Sequence, residues 1–145
     1  MRTDKMAEDF LRRAKARVTD AQAALQRGDY PEVVRYSQEC VELSLKACLR
    51  VIGVEYPRVH DVGDVLEYYR NSFPEWFREG IPEMRRISRD LSQKRGPSVY
   101  GVEMEGKTAS ELFTKTDAEE ALYNSEKIYS VSQRFFSEYY QRPKG

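Results

Sequence analysis

One histidine, one tryptophan and two cysteines stand in 145 residues. A single histidine excludes a zinc site built on imidazoles, and Cys40 with Cys48 lacks the paired spacing of structural zinc ligands. Those cysteines fall in one helical segment, where a rise of about 1.5 Å per residue sets them ~12 Å apart. A disulfide needs Cα atoms within about 7 Å, so reduced thiols and a cytoplasmic protein are expected. No apolar run approaches the ~18 residues that span a bilayer, and charges are scattered through Met1 to Lys15, so neither a signal peptide nor a membrane anchor is expected. Neither sign of charge dominates, with 24 lysine plus arginine against 24 aspartate plus glutamate. That balance excludes a polybasic arm, so any nucleic-acid site must be a local patch. Phosphate-loop, dinucleotide-binding and nucleophile-elbow glycine motifs are also missing, and no metal or cofactor is expected.

What is present is helical periodicity, which predicts one all-α domain over 1–145, an up-and-down bundle of four to five helices. Met6, Phe10, Ala14, Val18, Ala21 and Leu25 form one stripe of a first helix over 3–27, with Arg12, Arg13 and Asp20 on the wet side. Gly28-Asp29-Tyr30-Pro31 reads as a stop and a restart. A second helix over 31–52 has so wide an apolar face that it should be central. Val54 to Val59 reads as extended, Asp61 as an N-cap, and 62–71 as a third helix. Pro74 should open a short turn holding Trp76 and Phe77, before a fourth helix over 82–95. The stretch 96–116, with Gly96, Pro97, Gly101 and Gly106, reads as a long loop. A last helix over 117–140 should be capped by Asp117 with Glu120, and 141–145 should be a flexible tail.

The zero total conceals local charge. Residues 54–80 carry three basic and six acidic side chains, and 81–116 carry seven and five. From Arg85 to Arg95, Arg85, Arg86, Arg89, Lys94 and Arg95 oppose Asp90 alone, a net of plus four. Arg85 and Arg89 lie one turn apart. Two readings stand: a solvated face with cations near a helix C-terminus, or an anion site for phosphates. His60, between Val59 and Asp61, reads first as a structural residue at a helix entry and second as a catalyst. Tyr100 is the aromatic outside the packing stripes.

Leu25 to Tyr30, then Ser37-Gln38-Glu39-Cys40-Val41-Glu42-Leu43-Ser44-Leu45-Lys46-Ala47-Cys48-Leu49-Arg50, then His60 to Leu66 and Arg95 to Gly101, together resemble a HEPN domain. This is a family of small helical bundles related to the C-terminal domain of kanamycin nucleotidyltransferase. Glu42 and Lys46, one turn apart, belong to the most specific part. The resemblance implies a bundle of four or five helices, commonly a homodimer, concerned with RNA or nucleotides. Many active members are metal-independent endoribonucleases whose motif is an arginine followed, after four to six residues, by a histidine. Arg95 matches the arginine; Tyr100 stands where the shortest form has histidine, Gly101 and Val102 at the longer spacings, and Ser98 in an alternative alignment. The motif histidine is missing.

Histidine titrates near neutrality, whereas tyrosine's ordinary pKa is ~10. Tyr100 can bond a phosphate or stack on a base, but it is a poor general base. The expectation is therefore a non-catalytic homodimer that binds RNA, a nucleotide or a minimal nucleotidyltransferase, its partner in a toxin–antitoxin type of two-component module. Arg95, Tyr100, Arg89, Lys94 and Arg85 would make the contacts. The alternative is a divergent metal-independent endoribonuclease that uses Arg95 with Tyr100 or His60. His60 could serve only if the fold carried it to Arg95.

Overall fold

The computed structural model describes residues 3–56 and 58–141. Among these are six α-helices: α1 Thr3–Gln26, α2 Tyr30–Val51, α3 Gly63–Tyr68, α4 Glu75–Tyr100, α5 Ala109–Leu112 and α6 Lys115–Gln141. Single 3-10 turns lie at Arg70–Ser72 and Glu103–Glu105, and one antiparallel bridge joins Val102 to Lys107. The molecule is an all-α bundle. Of the expected tail, Gln141 closes α6, and 142–145 lie outside the described residues, as does Pro57 in the connector after α2.

Gly28 takes a positive φ of 76° after α1, and Pro31 occupies the first turn of α2, where its missing N–H costs no hydrogen bond. The two helices pack along their lengths as a hairpin, and α2 also packs on α4 and α6. That central place follows from its apolar face, where Val34, Val41, Leu45, Cys48 and Leu49 are all buried. At one end of the core, Phe73, Phe77 and Phe135 lie with ring centroids 4.2 to 5.2 Å apart, within the favourable range for aromatic pairs.

Three helices, α3, α4 and α6, end or begin away from expectation. α4 runs from Glu75 to Tyr100 through Pro82 and Pro97, so Trp76 and Phe77 open this helix rather than sit in a separate turn. Phe77, Ile81, Met84, Ile87, Ser88, Leu91 and Ser98 are buried along it. An interior proline costs a helix about 3 kcal/mol, while each large apolar side chain removed from water returns ~1.5–3 kcal/mol. The stripe wins.

The expected loop 96–116 is consequently mostly ordered into short elements. α4 uses its first five residues, and Gly101 turns the chain at φ 70°, where a Cβ would stand 2.2 Å from the Lys107 carbonyl oxygen. α5 is opened by a capping box between Thr108 and Glu111. α6 begins earlier than expected, because the reciprocal pair is Thr114 with Asp117: the Asp117 N–H donates to Thr114 Oγ1 at 3.1 Å and the Thr114 N–H to Asp117 Oδ2 at 2.9 Å.

Asp61 acts beside the N-cap rather than in it. Val62 holds the cap position, while Asp61 Oδ1 accepts from the Gly63 N–H at 3.1 Å and from Ser88 Oγ at 2.8 Å. The third helix is shorter than expected, its last turn replaced by the 3-10 turn at Arg70–Ser72, and its start lies directly on α4, with the bare Gly63 backbone against Arg85 Cα.

Candidate functional site

A cleft of about 450 Å³ lies between α1, α2, the connector that precedes α3, and α4. α1 supplies Arg12, Arg13 and Arg17, which fall on one side of a helix at positions i, i+1 and i+5. Glu39 and Glu42 come from α2, His60 from the connector and Arg95 from α4. Residues distant in sequence meet because α2 is central and the other elements pack around it.

Glu42 organises one wall. Its Oε1 lies 2.7 Å from His60 Nδ1 and accepts from Gln38 Nε2 at 3.0 Å, while Oε2 accepts from Lys46 Nζ at 2.8 Å. Burial pushes the Glu42 carboxyl up, but the hydrogen bonds from Lys46, Gln38 and His60 outweigh it and hold the group below its ordinary value. An ionised carboxylate at Nδ1 requires the proton on that nitrogen. In a neutral ring so placed, the lone pair lies on Nε2. The histidine side chain is 54% exposed, so that lone pair is within reach of a ligand.

Arg95 is tied to the same network. Its Nη1 donates to Gln38 Oε1 at 2.8 Å and to Glu39 Oε2 at 3.2 Å. Gln38 is 1% exposed and spends both ends of its amide here, accepting from Arg95 and donating to Glu42. A buried amide with both ends satisfied fixes its neighbours. Glu39 also faces Arg17 at 3.6 Å and Arg35 at 3.8 Å.

On the far side of His60 and Arg95 is a second, smaller pocket of about 350 Å³, completed by Ser92, Gly96, Val99 and Tyr100. His60, Arg95 and Tyr100, three of the residues singled out in the sequence, thus come together. Arg85, Arg89 and Lys94 do not join them. Arg85 Nη2 bonds Asp64 at 2.8 Å, and Arg89 reaches Asp64 at 3.5 Å and Asp61 at 3.7 Å. Lys94 pairs with Asp90 at 2.9 Å. Arg85 and Arg89 line a separate, shallower groove with Arg86 and Asp90.

Sequence reasoning missed Arg12, Arg13, Arg17, Gln38 and Glu39 as site residues. The pair Glu42 and Lys46 carried a signal, because a glutamate one turn before a lysine is placed for an ion pair and belongs to the most specific part of the family resemblance. Gln38 carried none, since only the fold shows that α4 brings Arg95 to it. Among the described residues no three His, Cys, Asp or Glu converge as metal ligands, and no helix is long and apolar enough to cross a membrane.

Comparison with known proteins agrees with this architecture. The chain is 31% identical over 142 residues to "Putative toxin MJ1304" of Methanocaldococcus jannaschii, covering 94% of this chain and 91% of that protein. The fold is that of TT1696 from Thermus thermophilus, with a TM-score of 0.71, 24% identity and coverage of 88% and 96% of the two chains. It is also that of ST0689, an archaeal HEPN homologue, with a TM-score of 0.69, 22% identity and coverage of 90% and 97%. The profile described as HEPN domain matches residues 7–135, and the chain belongs to the HEPN domain family.

Proposed function

We propose that this HEPN protein binds single-stranded RNA, with phosphates held in the cleft of Arg12, Arg13, Arg17 and Arg95 beside His60. One observation carries the reading: four guanidinium groups from two helices face one concavity that holds only two carboxylates, Glu39 and Glu42. Arg12 and Arg17 also pair with Asp9 at 3.1 Å and Asp20 at 2.8 Å, and the basic run of α4 is weaker support because Arg85 and Arg89 line a separate groove and Lys94 lines neither. Phosphate recognition favours arginine for its planar, multiply donating head. The family resemblance supports a homodimer as the working state, and a minimal nucleotidyltransferase as a protein partner.

Fluorescence anisotropy of a labelled single-stranded RNA across a salt series tests the proposal. Each phosphate contact on a single strand contributes a slope of about −0.7 to log K against log salt. Arg95→Ala and Arg13→Ala should each flatten the slope by roughly that amount, whereas Arg85→Ala should leave it unchanged. Equal slopes in all four proteins would overturn the reading. Light scattering tests the dimer, which should weigh twice the 17.0 kDa of one chain.

A second reading, cleavage of the bound RNA without a metal, is favoured by the His60–Glu42 pair. In that step His60 Nε2 takes the proton of a 2′-hydroxyl as its oxygen forms a bond to phosphorus. The bond from phosphorus to the 5′-oxygen then breaks, and the imidazolium returns its proton to that oxygen. Arg95 neutralises charge on the phosphoryl oxygens. The products would be a 2′,3′-cyclic phosphate and a 5′-hydroxyl. A denaturing-gel time course in excess chelator, with His60→Ala and Arg95→Ala alongside, decides it: cleavage by the wild type that both variants lose supports the step, and intact RNA in every lane leaves binding alone.

A further inference from the structure

Gly96 lies in the interior of α4, where glycine is the least favourable residue after proline. The other described glycines have either a positive φ or a neighbour within 4 Å of the place a Cβ would occupy. Gly96 alone among the described glycines has no positive φ and no atom within 4 Å of the place a Cβ would occupy outside its own stretch of helix. It is exposed, so internal packing does not call for it, although the helical turn just before Pro97 does favour a residue without a Cβ. What its bare backbone does is form part of the pocket that shares His60 and Arg95 with the phosphate cleft. A glycine on a helix face lets something flat approach the main chain closely.

We infer that the pocket of Ser92, Gly96, Val99 and Tyr100 is a nucleobase subsite, in which one base lies over the Gly96 backbone and against the Tyr100 ring while its phosphate is held at Arg95. This rests on the reading of the adjacent cleft as an RNA site. The pocket's volume of about 350 Å³ is at the small end for ligand sites, suited to a single heterocycle. Tyr100 is 72% exposed, an aromatic face at the pocket rim with room for a partner, and stacking on such a face tolerates any base. Ser92 Oγ donates to the Arg89 carbonyl at 3.0 Å. Its remaining lone pairs can accept an amino or ring N–H from the base edge.

A phosphate site and a base site differ in what they bind, so two probes separate them. One is a short single-stranded RNA, 2′-O-methylated so that it cannot be cleaved; the other is inorganic polyphosphate, which has the charge and no bases. In the full chain, Gly96→Ala should change the melting temperature little, because alanine's better helix propensity is opposed by the crowding of its Cβ against the Pro97 ring. It should weaken RNA binding about five- to 150-fold, the range for loss of one stacked base, and leave polyphosphate binding unchanged. Tyr100→Leu should do the same.

Undiminished RNA binding by Gly96→Ala would overturn the inference. So would equal loss of RNA and polyphosphate, which would make the effect a general one on the cleft. A changed mass in light scattering together with weaker RNA binding would also overturn it, assigning Gly96 to contact between copies of the chain. Wild-type protein that binds polyphosphate but not RNA removes the base subsite while keeping a phosphate cleft. Failure to bind either probe removes the RNA reading itself.

Discussion

Glu42 sits where burial and hydrogen bonding pull in opposite directions, and the hydrogen bonds win. Its folded-state pKa is depressed from the ordinary 4.5. A depressed carboxylate contributes stability that is fully present above its unfolded value and is lost as pH falls through the folded value. Glu42→Gln removes the charge while keeping the shape, and leaves Lys46, 10% exposed at its side chain, without its counter-ion. The expected cost near neutrality is about 1–3 kcal/mol, the usual penalty for stranding a buried partner. The variant should also lose less of its stability than the wild type as the pH falls below 4.5, which urea titrations at several pH values will show. Equal acid sensitivity in the two proteins would refute this account of Glu42.

At the same scale, burial pushes the thiols of Cys40 and Cys48 up to about 12, so thiolate is scarce and access is closed. Iodoacetamide in mildly alkaline buffer should leave both unmodified in the folded chain and alkylate both in denaturant, as intact mass will report. Rapid alkylation of either cysteine in the folded chain would contradict this burial.

Helices with a strong apolar period were legible in the sequence, and what eluded it were ends set by contacts. Gly28 and Pro31 mark the first hairpin in the chain itself, since the conformations they favour are local. Pro82 and Pro97 misled for the same reason: proline's local penalty is real, but the stripe from Phe77 to Ser98 is a tertiary fact that overrides it. The Asp117 cap was displaced by Thr114, because both patterns satisfy the same spacing rule and only the backbone shows which residue bends. Pro82 is exposed and deprives the Arg78 carbonyl of its helical donor. Pro82→Ala restores that bond and gives back some unfolded-chain entropy. A net gain of about 2 kcal/mol is expected from these opposed terms, read as a higher urea midpoint at constant slope. A lower midpoint would mean that the proline shapes α4 to fit α6.

Viewed across the molecule, the site exists only as a product of the whole fold. Arg13, Gln38, His60 and Arg95 come from four separate segments, and no pair of neighbouring helices contains them all. This explains why the sequence marked Arg95, Tyr100 and His60 separately but could not show that they meet. His60 is thirty-five positions before Arg95 in the chain, and its nearness is created by α3 docking on α4 and by Gln38 and Glu42 on α2. A site of this kind should disappear in one step with the core that assembles it, which requires the chain to unfold as one unit. The probes are independent, with helix content reported by far-UV circular dichroism and the α4–α6 region by Trp76, whose ring lies 3.8 Å from the Arg134 guanidinium. Their urea transitions should coincide. Leu45→Ala, at a fully buried position of α2, should shift both transitions together by about 2–5 kcal/mol. If the fluorescence transition moved and the dichroism transition stayed, α4 and α6 would form a unit separable from α2, and the cleft would have to open without global unfolding.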